Sequence, residues 1–169
     1  MKRIKNILVP TDFSDYSLAI SEYLFSLAES GEATLHLLNV VPEPLNEVYY
    51  AGFGIDPVNI LQHGIEGAQS DLRGVVERRL RYSGDVRQVV RQGEPYREIV
   101  RYATEENIDL ILMATHGRTG LSHVLLGSVA EKVVRHSPVP VLTVKPEDLR
   151  TARFLREDIE EQLHMRNEI

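Results

Sequence analysis

Cysteine is absent from the 169-residue sequence. This absence excludes disulfide bonds, zinc sites built on thiolates and a cysteine nucleophile, and it is typical of proteins that work in a reducing cytoplasm. The six histidines do not replace the missing ligands, because no two of them are spaced as in an HExxH motif or as an i, i+4 pair. A zinc enzyme or other dedicated metal site is therefore not expected.

Long apolar segments are absent as well. No run approaches the ~18 apolar residues of a membrane-spanning helix. The basic segment Met1–Asn6 is not followed by the apolar core of a secretory signal, because Pro10, Asp12 and Asp15 interrupt it. We therefore expect a cytoplasmic protein without membrane contact.

Positive charge is in deficit, since 19 Lys and Arg against 25 Asp and Glu give a net charge of −6. Proteins that bind the phosphate backbone of nucleic acids carry a clustered positive excess, so a nucleic-acid partner is not expected. The composition, 43% hydrophobic and 26% charged, is that of an ordinary globular protein. Its length suits one domain with a substantial core.

Short apolar runs alternate with segments of helical period along the chain. The predicted strands are Ile4–Val9, Ala33–Val41, Val86–Val90, Asp109–Ala114 and Val139–Val144. The first predicted helix has Ser14 or Asp15 as its N-cap, and the others begin at Ile60, at Pro95 and at Ser128. This alternation predicts an α/β fold with a parallel sheet and helices on both faces, in which ligands bind beyond the carboxyl ends of the strands.

Two stretches between these elements are less regular. Glu43–Asn59 has prolines, glycines and adjacent tyrosines without a clean period, so we interpret it as a long surface loop. The helix predicted over Ile60–Tyr82 contains Gly64, Gly67 and Gly74, which weaken the prediction of an unbroken helix.

The segment from Asp109 to Val144 suggests chemistry, because it predicts a strand, a glycine-bearing loop, a helix and a second strand. Such a loop presents backbone amides to an anion. Ser128 and Glu131 have the S-x-x-E spacing of a capping box, which predicts that a helix begins at Ser128. Asp12 and the loop at Gly117 both directly follow strands, so they should meet at one edge of the sheet although about a hundred residues separate them.

Four motifs make the chain resemble the universal stress protein family over Ile4 to Val144: ILVPTDFS, LLNVVP, GEPYREIV and ATHGRTGLSHVLLGSVAEKVVRHSPVPVLTVK. We therefore assign residues 1–146 to a universal stress protein domain and residues 147–169 to a C-terminal extension. The ATP-binding members of this family have the pattern G-x2-G-x9-G-(S/T). It falls here on Ala114, Gly117, Gly127 and Ser128, so alanine replaces the first glycine. The added methyl is compatible with binding unless this position needs a positive φ or very close approach of a phosphate.

The resemblance implies a single Rossmann-like, five-stranded sheet of order 3-2-1-4-5, with ATP, with or without Mg²⁺, bound at its switch point. It implies that Asp12 accepts hydrogen bonds from the ribose, that adenine lies against Val40 and the Pro10–Thr11 backbone, and that the glycine loop holds the phosphates. The site residues that it implies are Pro10, Thr11, Asp12, Val40, Met113, Ala114, His116, Gly117, Arg118, Gly127, Ser128 and Val129. It further implies a homodimer in which Val139–Val144 pairs with its copy, which would satisfy an otherwise exposed strand edge.

Several of these residues also have a purely structural interpretation. Ser128 could serve as a helix cap alone, Asp12 as an ordinary turn or helix-entry residue, and Gly117 and Gly120 only to turn the chain. Arg118 could be a solvated charge or a phosphate partner. For His116 we favour a hydrogen bond to backbone over catalysis.

Three functions remain open from the sequence. The first is a regulatory, ATP-binding homodimer in the stress response, whose client protein the sequence does not identify. The second is a slow ATPase or self-phosphorylating enzyme with Ser128 or Thr119 as acceptor, although no set of positioned carboxylates and charge-neutralising groups is visible. The third is a nucleotide-free dimerisation module, favoured if Ala114 disrupts the loop. ATP-cleaving proteins of related fold have an SGGxDS loop after the first strand. This chain has PTDFSD at that place, which argues against pyrophosphatase chemistry.

The C-terminal extension carries an apolar stripe at helical spacing, which predicts an amphipathic helix. The stripe consists of Leu149, Ala152, Leu155, Ile159 and Leu163. Such a helix packs on its own domain, crosses to the partner subunit or builds a higher oligomer.

Overall fold

The computed structural model describes residues 3–18, 20, 23–24, 33–43, 56–78, 80, 82–115 and 127–145. Five strands and four helices alternate along these residues. The strands are β1 (Asn6–Pro10), β2 (Thr34–Val41), β3 (Val86–Gln92), β4 (Leu110–Ala114) and β5 (Val141–Val144), and the helices are α1 (Asp15–Leu18), α2 (Pro57–Arg78), α3 (Pro95–Glu105) and α4 (Ser128–His136). The predicted C-terminal extension lies outside the described residues.

The strands form one parallel sheet of order β3-β2-β1-β4-β5. This confirms the predicted α/β fold and its strand order. Because β1 lies between β2 and β4, the chain reverses its direction of winding there, and the β1–β4 edge is the switch point at which ligands bind in such sheets.

Helices cover both faces of the sheet. Since successive residues of a strand point to opposite faces, each strand contributes side chains to two cores. On one face Ile7 and Val9 of β1 join a core that includes Leu72 of α2. On the other face Leu8 joins a core that includes Ile99 of α3 and Val133 of α4. The prediction of helices on both faces is therefore confirmed.

Helix α2 begins inside the stretch that was predicted to be a loop. Asp56 caps it, since Asp56 Oδ1 accepts a hydrogen bond from the Val58 amide at 2.9 Å and Asp56 O accepts one from Asn59 at 3.1 Å. Pro57 then occupies the first helical position, where a proline has no hydrogen bond to lose. The prediction of a loop up to Asn59 is wrong for Pro57–Asn59, and residues 44–55 lie outside the described residues.

Strand β5 is shorter than the predicted Val139–Val144. The Ser137 hydroxyl donates to Val139 O at 2.7 Å and accepts from the Val139 amide at 3.2 Å, which closes a turn. Val139 is held in that turn and Pro140 has no N–H to donate, so the strand starts only at Val141.

Among the described helices, none combines the length and the apolar character that a membrane crossing requires.

Candidate functional site

A cavity of about 300 Å³ opens at the carboxyl ends of β1, β2 and β4, below the first turns of α3 and α4. Most of the predicted site residues line it: Pro10, Thr11, Asp12, Val40, Met113, Ala114, Gly127, Ser128 and Val129. The other predicted residues, His116, Gly117 and Arg118, lie outside the described residues, as do Thr119 and Gly120. The fold thus brings together the β1 and β4 ends that the sequence placed at one edge.

The segment before Asp12 is tied to β2. The Thr11 amide donates to Leu38 O at 2.9 Å, which continues the sheet ladder by one residue. The Asn39 side-chain amide donates to Thr11 O at 2.8 Å. Because both partners belong to β2, the position of Asp12 at the cavity is set by the sheet itself.

Asp12 has a structural role in the turn between β1 and α1. Its Oδ1 accepts hydrogen bonds from the Ser14 amide at 3.1 Å and from the Ser14 hydroxyl at 2.5 Å. The turn interpretation of Asp12 is therefore correct, and the residue lines the cavity as well. The two roles are compatible, because a carboxylate offers about four lone-pair sites.

Ser14, rather than Asp15, caps helix α1. Its hydroxyl accepts from the Ser17 amide at 3.2 Å, and its carbonyl accepts from the Leu18 amide at 3.1 Å. These are the hydrogen bonds of an N-cap residue.

The start of α4 differs from the capping box that the sequence predicts. Gly127 is the N-cap in an extended conformation (φ −65°, ψ 152°), and no side chain caps the helix. Its carbonyl accepts from the Glu131 amide at 2.9 Å, which makes Ser128 the first helical residue. The interpretation of Ser128 as a cap is therefore wrong, and its exposed side chain lines the cavity.

The first turn of α4 brings backbone donors to the cavity. The amides of Ser128, Val129 and Ala130 have no partner within the helix, because an α-helix leaves its first amides unpaired. The helix dipole adds partial positive charge at this end. The Gly127 amide is engaged differently, since it donates to Thr115 O at 2.6 Å and fastens α4 to the end of β4.

Ala114 occupies the place of the first motif glycine. It is the last residue of β4, paired with Val144 of β5. Among the described non-glycine residues, a positive φ occurs only at Phe13 and Asn107. Ala114 therefore does not need the positive φ that would have required glycine at this position. This is one of the two conditions under which alanine can replace the motif glycine.

Asp12 is the only ionisable side chain among the described residues that line the cavity. The nearby cation Lys132 is 3.2 Å from Glu94 Oε1, so it is already paired. Within the described part of the chain, no group of three or more His, Asp or Glu side chains is arranged to hold a metal ion. The walls therefore offer one carboxylate, backbone amides and hydroxyls around an apolar interior.

Sequence reasoning missed several lining residues, namely Ser17, Leu38, Asn39, Pro95, Ile99, Thr115 and Ala130. Two of them carried a signal. Asn39 is an amide near the end of an apolar strand, and Thr115 directly follows β4. The apolar ones could not be found, because Leu38, Ile99 and Ala130 also belong to the core and their spacing is that of core residues.

Comparison with known proteins gives consistent results. The model of the Universal stress protein family matches residues 3–145. Universal stress protein MJ0531 of Methanocaldococcus jannaschii is 34% identical over 142 residues, which cover 83% of this chain and 82% of that protein. The solved structure of MJ0577 from the same organism superposes with a TM-score of 0.74 at 30% identity, covering 85% and 97% of the two chains. UspA of Lactobacillus plantarum gives a TM-score of 0.73 at 26% identity, covering 85% and 99%.

Proposed function

The chain belongs to the universal stress protein family, and on that premise we propose that it is a cytoplasmic, ATP-binding regulatory protein that works as a homodimer. The observation that carries the proposal is the cavity at the switch point. Asp12 lies on one wall of this cavity, and the first-turn amides of α4, which have no partner within the helix, lie on another. A carboxylate for a sugar and amides for an anion are the two polar functions that a nucleotide requires.

In the proposed complex, adenine lies against Val40 and the Pro10–Thr11 backbone, and Asp12 accepts from the ribose hydroxyls. The phosphates extend toward the Ser128 amide and hydroxyl and the Val129 amide. A volume of about 300 Å³ supports this arrangement, because ligand sites span ~300–1,000 Å³ and only the nucleoside needs to be enclosed. Gly117 and Arg118 complete the phosphate site in the proposal.

The energetics require several phosphate contacts. Micromolar binding corresponds to about −8 kcal/mol. A hydrogen bond to a charged group contributes about 1.5–3 kcal/mol, and a helix terminus adds about 0.3–1 kcal/mol. The amides of Ser128, Val129 and Ala130 provide three donors, which together with burial of the base reach the required range. Mg²⁺, when it accompanies ATP, would be held mainly by the phosphate oxygens and water, because Asp12 is assigned to the ribose.

A slow ATPase or self-phosphorylating enzyme is the second candidate. The observation that favours it is the Ser128 hydroxyl, which lines the cavity and does not cap its helix. The regulatory role remains the better supported, because the described residues of the cavity wall include one carboxylate, whereas phosphoryl transfer needs a positioned base together with charge neutralisation. Turnover that disappears in Ser128→Ala would favour the enzyme.

The homodimer is proposed to form through β5. This strand is an edge of the sheet, and its Leu142 is 39% exposed. Pairing with a second β5 around a two-fold axis would satisfy the open edge and cover this side chain.

The C-terminal extension, residues 147–169, is proposed to add to this dimer by packing on the partner subunit. Deletion after Lys145, followed by light scattering, tests this. A smaller number of subunits would support the proposal, and an unchanged number would leave the extension on its own domain.

Calorimetry with ATP, ADP and AMP in the presence of Mg²⁺ tests nucleotide binding. The variants Gly127→Ala and Gly127→Val form a graded series in side-chain volume at the cavity, because the backbone of Gly127 (φ −65°) accepts any residue. Both also replace a favourable N-cap glycine, and thermal unfolding measures this shared loss of capping. We expect ATP affinity to fall from the parent through alanine to valine, with thermal unfolding as the check on folding. If the parent does not bind any nucleotide, the proposal fails and the nucleotide-free dimerisation module takes its place.

A further inference from the structure

Ser14 makes two hydrogen bonds to one oxygen of Asp12. Its amide donates to Oδ1 at 3.1 Å and its hydroxyl donates to the same atom at 2.5 Å. Ser14 itself does not line the cavity, whereas Asp12 does. Any effect of Ser14 on a ligand must therefore act through the orientation of this carboxylate.

The direction of the hydroxyl proton is fixed. The Ser14 hydroxyl also accepts from the Ser17 amide at 3.2 Å, and an amide can only donate. The single hydroxyl proton is therefore directed to Asp12. Together with the Ser14 amide, this hydroxyl donor favours one orientation of the carboxylate before a ligand arrives.

The hydroxyls of Thr11 and Ser17 form further hydrogen bonds that hold the residues on either side of Asp12. The Phe13 amide donates to Thr11 Oγ1 at 3.0 Å, and the Ser17 hydroxyl donates to Ser14 O at 3.0 Å. The remaining contact, 3.0 Å between Thr11 Oγ1 and Ser17 Oγ, is then made with Thr11 as donor. Residues on both sides of Asp12 are thus fixed by hydrogen bonds whose directions are determined.

The backbone at this turn has a conformation that requires such support. Phe13 has a φ of +64°, in the left-handed region that bulky L-residues rarely adopt. Strained residues of this kind persist where the surrounding structure over-determines them, and they cluster at binding sites.

We propose that Ser14 is a positioning residue for ribose recognition, which holds the Asp12 carboxylate in the orientation that accepts the sugar hydroxyls. This inference rests on the proposed ATP binding. It adds a residue outside the cavity whose hydroxyl determines how well the site distinguishes a ribonucleotide from a nucleotide without ribose hydroxyls.

The test compares ATP with 2′,3′-dideoxy-ATP by calorimetry, for the parent and for Ser14→Ala. We expect Ser14→Ala to weaken ATP binding by about tenfold, the loss that corresponds to one misaligned hydrogen bond to a charged group. Binding of dideoxy-ATP should change by less than about twofold, because that ligand has no hydroxyl for Asp12 to accept. Ser14→Thr keeps the hydroxyl, so it should keep the parent's preference for ATP over dideoxy-ATP.

Ser14→Asp separates positioning from helix capping. Aspartate caps a helix as well as serine does, but an ionised carboxylate cannot donate a hydrogen bond to Asp12. If Ser14 were only a cap, the ratio of ATP to dideoxy-ATP affinity would equal that of the parent. Positioning predicts that this ratio falls, as in Ser14→Ala. A ratio taken within one variant removes the effect of the added charge on the phosphates, which both ligands share. Ser14→Gly removes the hydroxyl without adding a charge and caps a helix almost as well as serine, so positioning predicts the same fall of the ratio in this variant.

Ser137→Ala is the matched control, since Ser137 also makes local hydrogen bonds through its hydroxyl but lies at the other end of α4. It should leave the ratio unchanged. Binding of ATP by the parent together with equal losses for both ligands in Ser14→Ala and Ser14→Asp would overturn the inference and leave the proposed function intact. Absence of ATP binding by the parent would overturn both.

Discussion

The imidazole of His36 and the hydroxyl of Tyr102 form a buried pair, with His36 Nδ1 2.8 Å from the tyrosine oxygen. The two rings meet edge to face, with centroids 5.7 Å apart. His36 belongs to β2 and Tyr102 to α3, so the pair joins the sheet to the helix that carries Pro95 and Ile99 of the cavity wall. His36 Nε2 is buried and has no hydrogen-bond partner among the described residues.

This environment predicts a loss of stability at mildly acidic pH. Burial, and secondarily the positive charge of Arg87, lower the pKa of His36 below 6.5, against an opposing effect of Glu106. The unfolded chain therefore binds the proton more readily than the folded one, and the free energy of unfolding should decrease as pH falls below about 6.5. Urea unfolding between about pH 5 and 8 measures this.

The control for the pH experiment is the double variant His36→Leu/Tyr102→Phe, which removes both polar partners and leaves no unsatisfied group. Subtracting its pH profile from that of the parent should isolate the contribution of His36. A difference that stays flat below pH 6.5 would mean that the folded protein accommodates the protonated imidazole, against the expectation.

Gly93 is expected to tolerate no side chain. Its φ is +138°, and a Cβ built there would lie 3.2 Å from Glu98 Cγ and 3.3 Å from Glu98 Oε1. We expect Gly93→Ala to lower the free energy of unfolding by about 1–3 kcal/mol, mostly through backbone strain. Repeating the substitution in a Glu98→Ala background removes the contact but not the strain. If Gly93→Ala caused no loss of stability in that background, the contact with Glu98 rather than backbone strain would be the cause of the destabilisation.

Two glycines of α2 should respond differently to alanine. A Cβ at Gly67 meets no atom within 4 Å, whereas at Gly64 it lies 3.1 Å from Val41 Cγ1. Alanine in a helix interior is about 0.5–1 kcal/mol more favourable than glycine, so Gly67→Ala should raise the urea midpoint. Gly64→Ala should gain less, because Val41 must shift. Equal gains at both sites would contradict the role assigned to this contact.

Substitution of the outer edge of β5 tests the proposed dimer. The Ile111 amide donates to Pro140 O and the Thr115 amide donates to Val144 O. The backbone N–H and C=O groups of the even-numbered residues of β5 therefore point toward β4. In a parallel ladder the amide of Thr143 then points outward, away from the sheet. Thr143→Pro removes that donor without breaking a bond to β4, and we expect light scattering to report a monomer.

Thr143→Val is the control, because it keeps the amide and should remain dimeric. Circular dichroism establishes that the proline variant is folded. A folded Thr143→Pro variant with the mass of a dimer would place the interface elsewhere.

The strands could be predicted because each is a short apolar run with a proline or glycine close by, as with Pro10 and Pro42. The start of α2 was missed because Asp56 and Pro57 look the same in a loop as at a helix start until their hydrogen bonds are known. Ser128 was misassigned for a related reason. The S-x-x-E spacing fits a capping box, but Gly127 takes the cap position because its amide is fastened to Thr115 O at the end of β4.

The amino-acid sequence by itself determined the alternation of strands and helices, the family and the segments that approach the site, because these depend on local period and on motifs of adjacent residues. The tertiary structure alone decided which of the described backbone and side-chain donors are paired, and with which acceptors. The Asn39 side chain donates to Thr11 O between neighbouring strands, and the Gly127 amide donates to Thr115 O, although eleven residues separate the two in the sequence. Such pairings depend on strand order and register, so the residues that surround the cavity become apparent only when the sheet is assembled.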